Sequence, residues 1–282
     1  MIKPGLKVRY SDVDKIVKLN NACLIEFHLS DADLITNISE YYDLFVAFHA
    51  PEYTFNNGYR LLIDPASNDE ILYNKSLELI NKTITYVEKN KVNFKGTPKI
   101  IMHPGGMSCD TKVDDTSILY KNLGKFIQRL NYKDNEFLLE NMPPQPWFYG
   151  GSWISNIFVD DEEIIEFCLN YDVNICLDIS HAGLACNYLN KDINTYIQNL
   201  LPYTQHIHIA DYTGTNGEGV QIGEGELNFN AVFKTLRKIE EREYDLHMVP
   251  EIWMGHTDEH KGMLMALDRM NNYIVQLENK DV

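Results

Sequence analysis

A chain of 282 residues with 44% apolar and 23% charged residues has the composition of a globular protein with a large core, which argues against intrinsic disorder. Its 25 basic and 41 acidic residues leave a net charge of −16, and long-range repulsion therefore disfavours nucleic acids and anionic membranes as partners. Five cysteines without any CxxC spacing argue against a disulfide framework or a thiolate zinc site.

Short runs of β-branched and aromatic residues alternate with longer helical patterns along the chain, which predicts βα units and a parallel sheet. The predicted strands cover residues 6–10, 22–27, 45–49, 99–103, 137–140, 173–178, 206–209 and 246–251. Apolar periodicity predicts helices over 68–89, 113–130 and 162–169. Eight strands with connecting segments are what a closed barrel needs, so we predict the α/β class and a single (β/α)8 TIM barrel. An open doubly wound sheet is the alternative, but no GxGxxG or Walker motif supports it.

The start of the chain lacks the apolar stretch of a signal peptide, and nowhere do about 18 apolar residues follow one another. We therefore expect a cytoplasmic protein without a membrane partner. One domain over residues 1–282 is expected, because a single α/β barrel usually has about 250 residues. The sequence leaves the oligomeric state open, with a homo-oligomer among the alternatives.

One long connection, over residues 142–156, is rich in proline, glycine and aromatic residues, including Trp147 and Trp153. This segment is too apolar for a solvated linker. We expect it to form a loop that covers the mouth of the barrel.

Strand after strand ends in a residue that can bind a metal ion. These residues are His49, His103, Glu140, Asp178, His208 and Glu251. Carboxylates and imidazoles at the ends of buried strands lose hydration, so they need a partner, hydrogen bonds or a cation. Barrel closure brings the carboxyl ends of the strands together at one mouth, where active sites of this fold lie. The pattern predicts a metal site, and mixed nitrogen and oxygen donors suit zinc, manganese or another first-row divalent ion better than calcium.

Several short segments near the strand ends also carry a resemblance that runs through most of the chain. They are Phe48-His49-Ala50-Pro51, Ile101-Met102-His103-Pro104-Gly105, Leu139-Glu140-Asn141, Leu177-Asp178-Ile179-Ser180-His181, His206-Ile207-His208-Ile209-Ala210-Asp211, Ile222-Gly223-Glu224-Gly225 and Pro250-Glu251. Their order and spacing resemble those of the xylose-isomerase-like TIM barrel superfamily. That group includes sugar isomerases and epimerases of the tagatose-epimerase type and, in apurinic endonuclease family 2, enzymes of the endonuclease IV type.

The resemblance implies one or two divalent metal ions. One ion would be shared by four residues, as in the epimerases: Glu140, Asp178, His208 and Glu251. A second would be held by His49 and His103, with Glu140 bridging, as in the endonuclease branch. The endonucleases have a third site, in which a residue matching His181 is joined by an Asp-x-His pair. This sequence departs there, because residues 217–225 offer glycines at the expected positions.

Our first hypothesis is a metal-dependent isomerase or epimerase acting on a sugar or sugar derivative. The ion would chelate neighbouring carbonyl and hydroxyl oxygens and stabilise an enediolate, while Glu140 and Glu251 would act as catalytic acid and base. Other side chains would bind the substrate: His181, Trp147, Trp153 and Asp211. Asp211 is the last residue of the segment His206-Ile207-His208-Ile209-Ala210-Asp211, which carries part of the resemblance.

The second hypothesis is metal-assisted phosphodiester hydrolysis of the endonuclease IV kind, with ions at both sites clamping the phosphate. The net charge of −16, the missing Asp-x-His pair and the lack of a basic run weigh against it. A dehydratase or another lyase using the same metal and enolate chemistry is open, and so is a binding protein without catalysis. The sequence does not identify the substrate or say whether it is phosphorylated.

Overall fold

A computed structural model describes residues 1–17, 22–132, 134–237 and 245–278 of the chain. Eight parallel strands form a closed barrel. They are β1 (Ile2–Val8), β2 (Leu24–His28), β3 (Phe45–His49), β4 (Lys95–Met102), β5 (Glu136–Glu140), β6 (Asn174–Asp178), β7 (Thr204–Ile209) and β8 (Leu246–Pro250). Each strand pairs with its neighbours in sequence, and β1 closes the barrel on β8. The predicted TIM barrel is confirmed, and each predicted strand has its counterpart.

Helices connect the strands on the outside of the barrel. They are α1 (Val13–Val17), α2 (Glu70–Asn90), α3 (Ser117–Gln128), α4 (Asp161–Tyr171), α5 (Ile179–Leu189), α6 (Ile193–Leu200), α7 (Phe229–Leu236) and α8 (Thr257–Glu278). Short 3₁₀ helices cover Asp31–Ile35, Lys91–Asn93 and Leu201–Tyr203. The first of these stands between β2 and β3. Among the described residues, none of the helices has the length and apolarity needed to cross a bilayer.

The interior of the barrel is filled by six buried residues that form one cluster: Leu24, Ala47, Ile101, Leu138, Cys176 and Val249. Side chains alternate between the two faces of a strand, so the residue two positions later points to the same interior. Those later residues are Glu26, His49, His103, Glu140, Asp178 and Glu251. The period of the strand therefore places a polar layer directly above the apolar layer, at the carboxyl end of the barrel.

Four short hairpins and paired segments surround this end. They pair Tyr53–Asn56 with Tyr59–Leu62, Met107–Ser108 with Ile154–Ser155, Trp147–Phe148 with Gly151–Ser152, and Asp211–Thr213 with Gly217–Val220. Strand ends and residues of three of these pairs, all except Met107–Ser108 with Ile154–Ser155, line a cavity of about 390 Å³, within the usual size range of small-molecule sites. Residues 142, 143 and 146–149 of the proline-rich and aromatic loop are among those that line it.

Gly106, in the turn after β4, lies close to a neighbouring side chain, and Gly150, in the 142–156 loop, provides a control without such a neighbour. Gly106 has φ +71°, and a Cβ there would lie 2.7 Å from Cγ1 of Ile157. Gly150 has φ +78°, but a Cβ there would meet nothing within 4 Å. We expect Gly106→Ala to lower the free energy of unfolding by about 3 kcal/mol, since backbone strain adds to overpacking. Gly150→Ala should cost about 1 kcal/mol for strain alone.

Chemical denaturation of the two variants measures this difference. Equal losses of unfolding free energy would show that Ile157 moves aside without cost.

Candidate metal centre

The strand-end residues converge in two overlapping groups. Glu140, Asp178, His208 and Glu251 offer ligand atoms that all lie within 4.8 Å of one another. His49 and His103 form the second group with the same Glu140. The four residues of the first group come from β5, β6, β7 and the position just after β8. Residues far apart in the sequence thus form one site, as barrel closure requires.

Glu140 is the hub of both groups and is 1% exposed. Its Oε2 lies 3.2 Å from Nε2 of His49 and 3.5 Å from Nε2 of His103. Its Oε1 lies 3.3 Å from Nδ1 of His208 and 3.5 Å from Nδ1 of His181. Burial opposes ionisation, but the charge of His208 and the surrounding imidazole hydrogen bonds outweigh it and hold the pKa of Glu140 well below its ordinary value.

Asp178 is positioned by the start of α5. It is the N-cap of that helix, and its Oδ1 accepts a hydrogen bond from the backbone N–H of His181 at 2.7 Å. The side chain of Asn141 bonds the backbone of Asp178 on both sides, at 2.7 and 3.0 Å. Burial, with the negative charges of Glu140 and Glu251 adding to it, raises the pKa of Asp178 to about 6 although His181 opposes the shift.

The tautomers of two histidines indicate what the site is built to hold. Nδ1 of His49 lies 3.1 Å from the carbonyl oxygen of Ala50, and Nε2 of His208 lies 2.8 Å from Oε2 of Glu26. A carbonyl and an ionised carboxylate only accept, so these nitrogens carry the protons. The other ring nitrogen of each histidine faces Glu140, and when it carries no proton it directs a lone pair towards that carboxylate. Such pairs of acceptors repel each other unless a proton or a cation lies between them.

Glu251 supplies a buried oxygen atom that lacks a hydrogen-bond partner. Its Oε2 lies 2.8 Å from Nδ1 of His208 but makes no hydrogen bond to any described residue. Burial opposes the ionisation of Glu251, and the charges of Lys7 and His208 overcome it, so the pKa of Glu251 lies well below its ordinary value. Among the four proposed ligands, Oε2 of Glu251 is thus a buried oxygen without a hydrogen bond, directed at the other three. The set fits a divalent ion with nitrogen and oxygen ligands.

A third group of potential ligands, Cys176, His206 and His208, lies one layer deeper in the barrel. His206 is fully buried, as expected for a core histidine, and burial lowers its pKa to about 4. Its Nε2 bonds Glu26 at 2.8 Å. His208 contributes Nδ1 to the group formed with Glu140, Asp178 and Glu251. His206 shares Glu26 with His208, so we assign His206 to the support of that group.

The predicted substrate-binding residues divide into two pairs. His181 and Trp147 line the cavity, and Nδ1 of His181 donates to the carbonyl oxygen of Asn141 at 2.8 Å. Burial opposes protonation of His181, but Asp178 and then Glu218 raise its pKa to about 10. His181 can therefore offer a proton or a positive charge to a bound oxygen.

Trp153 and Asp211 are not among the residues that line the cavity. The indole N–H of Trp153 donates to the carbonyl oxygen of Phe148 at 3.2 Å, so Trp153 holds the loop that carries Trp147. Asp211 is fully buried, and its carboxylate accepts N–H groups of Gly223, Gly225 and Leu227 at 2.8–3.1 Å. These hydrogen bonds order the 223–227 turn.

Two charged residues of the site escaped the sequence prediction. Lys7 lies on β1 and contacts Glu251, and Glu26 lies on β2 and contacts His206 and His208. Each lies between two buried apolar residues of its strand, Lys7 between Leu6 and Val8, and Glu26 between Ile25 and Phe27. A charge in the middle of such a strand, on the same parity as the strand-end residue, is the signal that would have revealed them.

We expect the affinity for a divalent ion to fall on acidification. Asp178 must be ionised to act as a ligand, and with a pKa of about 6 only about one-tenth of it is ionised near pH 5. The raised pKa of His208, whose burial is outweighed by the neighbouring acidic groups, requires a proton to leave as the ion binds. Titration with Co²⁺ should give at least about tenfold weaker binding near pH 5 than near pH 7. A pH-independent affinity would contradict this assignment of ligands.

The chain matches the family model described as xylose isomerase-like TIM barrel over residues 22–273. It is 30% identical over 216 residues to an uncharacterized protein of Methanocaldococcus jannaschii, which covers 75% of this chain and 72% of that protein. It is 25% identical over 157 residues to a probable endonuclease 4 of Sulfurihydrogenibium sp., covering 53% of each.

Among solved structures, a D-tagatose 3-epimerase-like protein superposes with a TM-score of 0.70 at 18% identity and covers 99% of this chain and all of that one. At that identity the superposition shows the fold. The family match extends over most of the barrel and includes the strand ends that form the two ligand groups. On this evidence the chain belongs to the xylose isomerase-like TIM-barrel family.

Proposed function

We propose that this protein is a divalent-metal-dependent isomerase or epimerase of a sugar or sugar derivative. The observation that carries the proposal is the convergence of Glu140, Asp178, His208 and Glu251, three of which line the cavity at the barrel mouth: Glu140, Asp178 and Glu251. The fold shared with an epimerase-like protein supports it. Zinc and manganese both suit the mixed donors.

A divalent ion held there would supply the positive charge that makes a C–H next to a carbonyl more acidic. Glu140 and Glu251 are the carboxylates placed to move that proton, because both border the cavity and their neighbours keep both ionised. His181 would donate to a substrate oxygen, since one ring nitrogen is fixed on Asn141 and the ring borders the cavity. Trp147 and Phe148 would cover the apolar side of the ligand.

Metal-assisted phosphodiester hydrolysis is the second candidate. The similarity to a probable endonuclease 4 favours it, and so does the second group formed by His49, His103 and Glu140. Where the endonucleases would have an Asp-x-His pair, His181 here faces Glu218, with 3.6 Å between Nε2 and Oε2. The cavity, of about 390 Å³, suits a small molecule, and the net charge of −16 disfavours a polyanion. We therefore rank the sugar reaction first.

Two assays with the metal-loaded protein distinguish these functions. We expect hydrogen–deuterium exchange at the carbon next to the carbonyl in at least one member of a panel of ketoses and phosphorylated ketoses. A duplex containing one abasic site should stay intact under the same conditions. Nicking of this duplex without exchange into any ketose would favour the nuclease, and dehydration of an exchanged substrate would indicate a lyase.

A further inference from the structure

Two buried charged residues lie beneath the proposed ligands and have no part in the reaction as described. Lys7 is 5% exposed and Glu26 is fully buried. They occupy paired positions on β1 and β2, both facing the barrel interior. Removing two opposite charges from water costs free energy that their mutual attraction does not always recover. Their remaining contacts therefore indicate what they do.

Glu26 fixes the ring of one proposed ligand. Its Oε2 accepts the Nε2–H of His208 and the Nε2–H of His206, both at 2.8 Å. When Nδ1 carries no proton and Nε2 keeps its own on Glu26, the lone pair of His208 lies on Nδ1, the nitrogen that faces Glu140 and Glu251. A carboxylate behind a metal-binding imidazole selects the tautomer and the orientation of the ring.

Lys7 fixes the other side of the site. Its ammonium lies 3.3 Å from Oε1 of Glu26 and donates a hydrogen bond to Oε1 of Glu251. That bond leaves Oε2 of Glu251 free, 2.8 Å from Nδ1 of His208. The contacts close a ring that runs from Glu251 to His208, then to Glu26 and Lys7, and back to Glu251.

We propose that Lys7 and Glu26 are positioning residues that direct Nδ1 of His208 and Oε2 of Glu251 towards one shared divalent ion. The proposal rests on the metal dependence of the proposed function but not on the identity of the substrate. The ring also places one positive charge among the carboxylates, which keeps Oε1 of Glu251 occupied. Each of the two ligands therefore presents a single donor atom to the ion.

The competing explanation is that Lys7 and Glu26 only fill the barrel as an ion pair. The chain contains a matched control for this. Lys99 and Glu136 are also a hydrogen-bonded pair at directly paired positions of adjacent strands, here β4 and β5. They lie four residues before His103 and Glu140, at the opposite end of the barrel interior. Lys99→Met removes an interstrand ion pair that includes none of the proposed ligands and neither Lys7 nor Glu26.

Co²⁺ binding to Glu26→Gln, Lys7→Met and Lys99→Met, followed by visible absorption, tests the proposal. We expect about 10–100-fold weaker binding and an altered absorption envelope for the first two variants. Lys99→Met should keep wild-type affinity even where its melting temperature falls. Wild-type affinity and absorption in Glu26→Gln and Lys7→Met, with lowered stability alone, would overturn the proposal.

Lys7→Arg keeps the positive charge and covers the case in which Lys7→Met does not fold. It should bind Co²⁺ more tightly than Lys7→Met, or within about fivefold of wild type, because a cation still reaches both carboxylates. Ring ¹⁵N spectra of the zinc-loaded wild type should show His208 protonated at Nε2 and not at Nδ1. The opposite tautomer would overturn the role of Glu26. Metal binding without exchange into any ketose would instead contradict the proposed reaction and leave this result intact.

Discussion

Glu140→Gln should lower the rate of hydrogen–deuterium exchange into the substrate by about 10³-fold or more, the range expected for loss of a general base. The amide cannot accept the proton. The substitution also removes the negative charge that four surrounding imidazoles contact. The effect extends to both ligand groups because Glu140 is common to them. Steady-state exchange at saturating metal measures it.

Glu136→Gln is the matched control, since Glu136 lies four residues earlier on β5 and pairs with Lys99. Its exchange rate should equal that of the wild type. Equal activity of Glu140→Gln and wild type would remove Glu140 from the catalytic role.

Glu251→Gln should slow the interconversion of two epimeric ketoses while leaving hydrogen–deuterium exchange into one of them. If Glu140 and Glu251 serve opposite faces of the substrate, loss of one carboxylate should lower the rate of interconversion of the two epimers by about 10³-fold. The remaining carboxylate still exchanges the hydrogen on its own face, so one epimer should retain most of its exchange. Lys7 can still donate to the amide oxygen, and the side chain keeps its size.

The comparison uses both epimers of the same ketose in deuterated water with the metal content matched to wild type. Loss of exchange from both epimers in Glu251→Gln, with the ion bound, would exclude the division of labour between two carboxylates. Unchanged interconversion would exclude Glu251 as a catalytic group altogether.

The strands and the strand-end residues were predictable because both follow from local rules. Apolar β-branched runs mark the strands, and a period of two sets which residues face the interior. His49, Asp178 and His208 each lie two residues after a buried residue on the same face of the strand. Those buried residues are Ala47, Cys176 and His206. Barrel closure then supplies the convergence, which needs no knowledge of loops.

Other parts of the site depend on contacts that local patterns do not encode. Asp211 follows the same strand as His208, yet N–H groups from residues 223–227 capture its carboxylate. Lys7 acquires its role only from Glu251, which lies 244 residues away in the sequence. The loop over the mouth was predicted from its composition, but which of Trp147 and Trp153 faces the cavity depends on the hairpin geometry.

Zinc-edge anomalous diffraction from a crystal grown with Zn²⁺ tests the central claim most directly. The account predicts an anomalous peak between β5, β6, β7 and the end of β8, with donor atoms of Glu140, Asp178, His208 and Glu251 at about 2.0–2.2 Å. Nδ1 of His208 should be the coordinating nitrogen. A zinc-bound protein whose peak lies away from these four side chains would contradict the shared-ion site and the reaction built on it.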